Sequence, residues 1–327
     1  MNQPIDAVIS WVDGHDPSYQ KKLADFCLQK GVAQRHVVEP TRINQCGEIT
    51  YCIQSLLVFA PWLRTLYIVT DKQIPPVVNT LQDTAFAHKI KIIDQADLFV
   101  GLEACLPVFN SLTIEWLLHR IDGLSEQFLY LNDDFFLTRP VTPEDFFKNG
   151  RIVLRGEWKT QTDHKWPYIL KKGLKLLCGK TTPHPTTNPH RHWQEQSAKH
   201  AGWEKDFYLL PHAPFPLIKK TFTDLIKQNP TLLAENVAYP FRHPDQLSPL
   251  PLMAHLDIKH NRVVFDHKLK AIMVNGACHS FKKIQSRLTH AIKNKAVAFV
   301  CMQSVDQAPS ATQKHMIDWL SSRIGFQ

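Results

Sequence analysis

The stretch that decides the fold runs from Leu106 to Thr138, LPVFNSLTIEWLLHRIDGLSEQFLYLNDDFFLT. Within Asn110 to Ile121 the apolar residues Ile114, Leu117, Leu118 and Ile121 recur at i, i+3, i+4 and i+7, which predicts one helix with one buried face. Glu115 stands beside that stripe. After the turn Asp122-Gly123 comes Phe128-Leu129-Tyr130-Leu131, a continuous apolar run of the kind a parallel strand shows when both faces are covered. The run stops in Asn132-Asp133-Asp134. Acceptors at the carboxyl end of a buried strand fall in the crevice where open α/β sheets hold their ligands. Adjacent carboxylates there suit a divalent cation, Mg²⁺ or Mn²⁺, on a diphosphate, since Mg²⁺ is usually held by one or two carboxylates plus substrate phosphates. The plainer alternatives are a polar loop opening for Asn132-Asp133-Asp134 and, for Glu115, a carboxylate drawn to the positive end of a helix.

The same alternation extends towards the amino terminus. Ile5 to Val12 is β-branched and apolar and runs into Trp11-Val12-Asp13-Gly14, so a first strand closes on a glycine turn. Asp16-Pro17 supplies an N-cap and an N1 proline for a helix reaching about Lys30. Ile49, Cys52, Ile53 and Leu56 form a second helical stripe ending near Pro61. Strands at 66–69 and 89–93 close on Asp71 and Asp94. Four strands interleaved with helices predict an α/β fold with a mostly parallel sheet and helices on both faces. At such a rim Trp11 would wall a base, Asp13 would take a ribose hydroxyl, and the Arg42 fork would meet phosphate oxygens. A core Trp, a turn Asp and a solvated Arg are the competing readings.

Beyond about residue 140 the character changes. Pro143-Glu144-Asp145 opens a short helix, and 155–205 is basic and rich in Trp, His and Pro, including Trp158, Trp166, Trp193 and Trp203. Cys178, His184, His190 and His192 cluster there, but their spacing fits no usual zinc pattern. A long irregular segment of this kind reads as an insertion or lid over the site. His212 precedes Ala213-Pro214, after which Ile218, Phe222 and Leu225 predict a helix. Arg242, in Phe241-Arg242-His243-Pro244-Asp245-Gln246, is a second candidate phosphate clamp. Then follow a helix over 246–257, β structure over 260–274, a helix over 281–293, a strand over 296–302 and a closing amphipathic helix with Ile317, Leu320 and Ile324.

The chain has 327 residues, a formal charge of +8 and a pI near 9.0, so its surface favours anionic partners. Its seven cysteines are odd in number and scattered, with no C-x-x-C pair, as in a reduced intracellular protein. No basic-then-apolar leader and no membrane-length apolar run occurs. The expectation is a cytoplasmic protein whose only membrane contact is peripheral, at the inner face and through charge.

Four blocks resemble the Stealth family of sugar-1-phosphate transferases: Ile5 to Gly14; a long block from Arg42 to Phe136; Pro211-His212-Ala213-Pro214; and Phe241 to Gln246. The resemblance implies a glycosyltransferase-A-like core with a helical insertion, a UDP-sugar donor, a glycan or glycolipid acceptor and a divalent metal. Carried over by position, Glu115, Asp134, His212 and Arg242 match the family's active-site residues. Asp133 and Asp134 would then hold the metal, while Trp11, Asp13, Arg42 and Asn132 would face the donor. The implied reaction moves a sugar-1-phosphate onto an acceptor hydroxyl and releases UMP, in capsular or exopolysaccharide synthesis. His212 is the implied base; whether Glu115 orients it, binds metal or is itself the base stays open. Gln303-Ser304-Val305 departs from the Asn-Asp pair of many relatives. The expected organisation is a single catalytic domain over 1–327, with a nucleotide-sugar-binding part at 1–140, the insertion or lid at 141–210, and a helical part with a completing strand and helix at 211–327. Two rival readings remain, an ordinary glycosyltransferase releasing UDP and a non-catalytic anionic-glycan-binding module. Nucleic acid is not an expected partner, because carboxylates at three strand ends repel polyanions.

Overall fold

The structure is a computed structural model that describes residues 3–38, 41, 43–166 and 189–324. Its centre is a five-stranded sheet built from β1 (Ile5–Ser10), β2 (Leu66–Thr70), β3 (Ile90–Asp94), β4 (Gln127–Asn132) and an edge strand, Phe215–Ile218. β1 lies between β2 and β4, β3 flanks β2, and these four are parallel, as the sequence predicts. Ser10 pairs with Asn132, and Thr70 with Asp94, so the polar strand ends share one rim. Alternate residues serve opposite faces. Ala7, Ile9, Leu129 and Leu131 belong to one core cluster, and Val8, Phe128 and Tyr130 to another. Double-sided burial is why Ala7-Val8-Ile9 and Phe128-Leu129-Tyr130-Leu131 are apolar without interruption.

Three expectations need correction. Helical structure after Asn110 is brief, Ser111–Glu115, and the chain continues through i→i−3 bonds into a 3-10 turn at Leu118–Arg120. The periodic stripe misleads because Trp116, on the face it leaves outside, is fully buried with its indole N–H bonded to Leu247 O. The first strand stops at Ser10, two residues before Val12. His212 leads into a strand rather than a helix: Phe215–Ile218 runs antiparallel to β4, with Phe215 opposite Tyr130. Pro216 is tolerated there because this is an edge strand, whose outer side needs no donor. The helix begins only at Lys219.

β4 does not end the apolar run. After Asp133-Asp134 the chain enters β5 (Phe135–Leu137), which leaves the central sheet and pairs antiparallel with the strand Val297–Gln303, itself parallel to Lys270–Asn275. The two carboxylates therefore sit where the chain passes from one sheet to the next. The backbone N–H of Met302 donates to Asp134 O at 3.0 Å and holds the C-terminal strand end against them. The helix Glu48–Phe59 packs on β5, Ser310–Ile324 packs on that helix, and Pro189–His200 packs against Pro249–Lys259. Among the described residues no helix is long and apolar enough to cross a membrane.

Candidate active site

A cavity of about 490 Å³ opens over the carboxyl ends of β1 and β4. Its lining includes Trp11, Glu115, Asn132, Asp133, Asp134, His212 and Arg242. Each arrives by a separate structural cause. Trp11 follows β1, and Asn132-Asp133-Asp134 follow β4. Glu115 closes the short helix that Asn110 caps by accepting from Leu112 N–H. The antiparallel register brings His212 alongside, because residues before Phe215 run beside those after Tyr130. Arg242 is held by donating from Nη2 to Ser111 Oγ at 2.8 Å, with its guanidinium 5.5 Å from the Trp193 ring.

One wall is acidic. Asp133 Oδ2 accepts from Gln45 Nε2 at 3.0 Å, and Asp134 Oδ2 from the Cys301 thiol at 3.4 Å. Asp134 Oδ1 is buried and meets no hydrogen-bond partner. Burial raises the pKa of Asp133, while burial and the neighbouring Asp133 charge push Asp134 up to about 8. Burial, with Asp133 close by, likewise takes Glu48 to about 7. Such a group holds its protons unless a cation supplies the missing charge. Hard oxygen donors suit Mg²⁺ or Mn²⁺ rather than a soft metal. Among the described residues no group of three or more His, Cys, Asp or Glu is arranged to cage an ion. The fit is thus to a cation that two carboxylates hold and substrate oxygens complete.

Glu115 stands apart from that wall. It is 4% exposed; Oε1 accepts from Tyr130 OH at 3.2 Å, and Oε2 is buried without a partner. Burial moves its pKa up to about 7 against the pull of Arg242. The Tyr130 hydroxyl also lies 2.6 Å from Ser10 Oγ and 3.2 Å from Asn132 Oδ1, which joins both strand ends to the Glu115 helix. Trp11 is buried with its indole Nε1 unpartnered at the cavity, a donor left for a ligand.

The same cavity carries basic side chains. His212 is shielded enough for burial to lower its pKa, and it faces the same space as Arg242. Not every sequence candidate arrives there. Asp13 lies outside the lining, closing a turn in which Oδ1 accepts from His15 N–H and the backbone pairs with Gln73. Asp71 binds Lys22 and Asp94 caps the turn at Gln95–Phe99. Arg42, Cys178 and His184 lie outside the described residues. His192 points Nε2 at Pro244 O.

The structure also adds residues to the site. Glu48 reads in sequence as a helix-start carboxylate, Tyr130 as one more apolar strand position and His190 as a spare histidine. Asp306 lines the cavity from the C-terminal rim, accepting from Thr41 Oγ1 and Asn44 Nδ2 at 2.8 Å each. It lies just past the Gln303-Ser304-Val305 departure, so acidity returns to that rim one position later.

Residues 42–154, which carry β2, β3, β4 and the acidic turn, match Stealth protein conserved region 2. This chain belongs to the Stealth family. Similar proteins include the exopolysaccharide phosphotransferase SCO2592 of Streptomyces coelicolor, 34% identical over 77% of this chain and 25% of that protein. The exopolysaccharide phosphotransferase CpsY of Mycobacterium tuberculosis is 29% identical over 96% of this chain and 55% of its own length. The Stealth chain thus spans a quarter to about half of these two relatives. Among solved structures, galactosyltransferase LgtC is loosely similar, with a TM-score of 0.45 and 10% identity over 98% of this chain and 97% of LgtC.

Proposed function

We propose that this Stealth protein transfers a sugar-1-phosphate from a UDP-sugar to a hydroxyl of a glycan or glycolipid, forming a phosphodiester and releasing UMP, in capsular or exopolysaccharide synthesis. One observation carries the reading: a single cavity gathers buried carboxylates with an unpartnered oxygen, an imidazole and a guanidinium. That polarity matches a diphosphate, whose charge needs neutralising while an attacking hydroxyl loses a proton. Phosphoryl transfer is mostly positioning and charge stabilisation, and those are the parts this cavity contains. The names of the related phosphotransferases point the same way.

The acceptor oxygen forms a bond to the phosphorus nearest the sugar, the bridging bond to UMP breaks, and the acceptor proton passes to His212. Burial keeps that imidazole neutral at working pH, as a base must be. Arg242 steadies the transferring phosphoryl oxygens, its fork already oriented by Ser111 and Trp193. Asp133 and Asp134 would hold Mg²⁺ or Mn²⁺, which when bound supplies positive charge to the diphosphate. Trp11 and Asn132 face the donor at the strand ends. Glu115 is the second candidate base, favoured by its free Oε2 and a pKa near 7.

The test is product analysis. The protein is incubated with Mg²⁺, a panel of UDP-sugars and a glycan acceptor, and the nucleotide is resolved by chromatography. UMP with a phosphodiester product is expected. UDP with a glycoside would mean ordinary glycosyl transfer, and no cation-dependent turnover of any donor would leave a binding module.

A further inference from the structure

The helix Pro189–His200 gives the cavity one face, formed by His190, Trp193 and Gln194 at i, i+3 and i+4. Trp193 lies beneath Arg242. His190 lies against His212, ring centroids 4.2 Å apart and planes 27° from parallel. On another side of His212 the Phe135 ring stands edge-on at 6.2 Å and 79°. The imidazole is thus held between a face and an edge.

His190 is itself held. The Gln194 amide nitrogen lies 3.2 and 3.4 Å from its two ring nitrogens. Gln194 in turn is clamped to the backbone two residues before His212, its Oε1 accepting from Leu210 N–H at 2.8 Å and its Nε2 donating to Leu210 O at 3.2 Å. One side chain therefore registers the helix to the segment that carries His212 and sets the plane of the ring stacked on it.

We propose that His190 is a positioning residue for His212, its ring fixing the His212 imidazole in the orientation from which a nitrogen meets the acceptor hydroxyl. A stacked ring removes side-chain rotation that an open cavity wall would permit. Misplacing a reacting group by about 1 Å costs roughly 10²-fold in rate. The contribution is one of shape, so another flat ring should replace it. The inference rests on His212 being the base, as argued above.

Three variants of the full chain, His190→Ala, His190→Phe and His212→Ala, test it. His190→Ala should lower kcat by roughly 10- to 10²-fold with donor KM within about twofold. His190→Phe should restore kcat to within about threefold of the parent, because the flat ring is retained. In ¹H–¹³C spectra of the ligand-free protein the His212 ring protons should shift downfield in His190→Ala, as the stacked ring is lost, whatever the activity. Parental kcat in His190→Ala, or His190→Phe as slow as His190→Ala, overturns the proposal. With His212→Ala inactive, such a result removes the positioning role alone. Parental turnover by His212→Ala removes the base and this role together.

Discussion

Asp134 is where charge, burial and chemistry meet most sharply. Its carboxyl titrates near 3.8 when exposed and at about 8 in the fold, because burial and Asp133 oppose its charge. Between those values the folded state keeps a proton that the unfolded state has lost, so stability falls as pH rises from about 4 to 8. Asp134→Asn removes that penalty. It should abolish turnover and yet melt higher than the parent at pH 8, by about 2 °C or more, with a gap that narrows towards pH 4. A constant gap in scanning calorimetry would count against a buried, charge-starved carboxyl. Mn²⁺ should raise the melting temperature of the parent and leave that of Asp134→Asn unmoved. His212→Ala should lose about 10² to 10⁴ in kcat if its imidazole takes the acceptor proton. An unaltered rate and pH profile would make it structural.

At the scale of elements, the central sheet keeps strength at one end and chemistry at the other. Near the start of β1, fully buried Asp6 accepts from Thr65 N–H, Ser125 N–H and both Nε and Nη2 of Arg64, which ties β1 to the segments entering β2 and β4. Four residues on, Ser10 reaches the cavity rim, roughly 13 Å away at strand rise. Asp6→Ala leaves the Thr65 and Ser125 backbone donors without their buried acceptor, while the half-exposed Arg64 guanidinium can turn to solvent, and should cost about 1 to 3 kcal/mol in urea unfolding. Turnover per folded molecule should stay close to parental. A loss of kcat at unchanged stability would show that the two ends of the sheet are coupled. The edge strand Phe215–Ile218 works the other way, since its register carries His212 to the rim, and that register depends on tertiary contact with β4.

Across the whole molecule, the cavity lining spans residues 10 to 306. A ligand there bridges both sheets, the Pro189–His200 helix and the Arg242 loop, and so stabilises the assembled chain as a unit. UMP with Mn²⁺ at about 100 times its Kd should add about 2.7 kcal/mol, seen as a rise of a few degrees in melting temperature. UMP without the cation should do much less, because the positive charge that would join its phosphate to Asp133 and Asp134 is then missing. Equal protection with and without Mn²⁺ would place the nucleotide away from Asp133 and Asp134.

What the amino-acid sequence determined by itself is the sheet and one wall of the site. Apolar runs ending in polar residues located the parallel strands, uninterrupted in β2 and β4 where both faces are buried and broken by Lys91 in the outer β3, and Asn132-Asp133-Asp134 followed from where β4 had to stop. The Asn110–Ile121 stripe was misleading because a segment buried on every side loses the contrast on which periodicity depends. The rest of the site was decided only by tertiary structure. That His212 enters through an antiparallel edge, that Glu48 and Asp306 crowd the acidic turn, and that His190 stacks on His212 all follow from contacts between residues remote in sequence. No local pattern encodes such contacts, because their geometry exists only once the two sheets and the Pro189–His200 helix have packed.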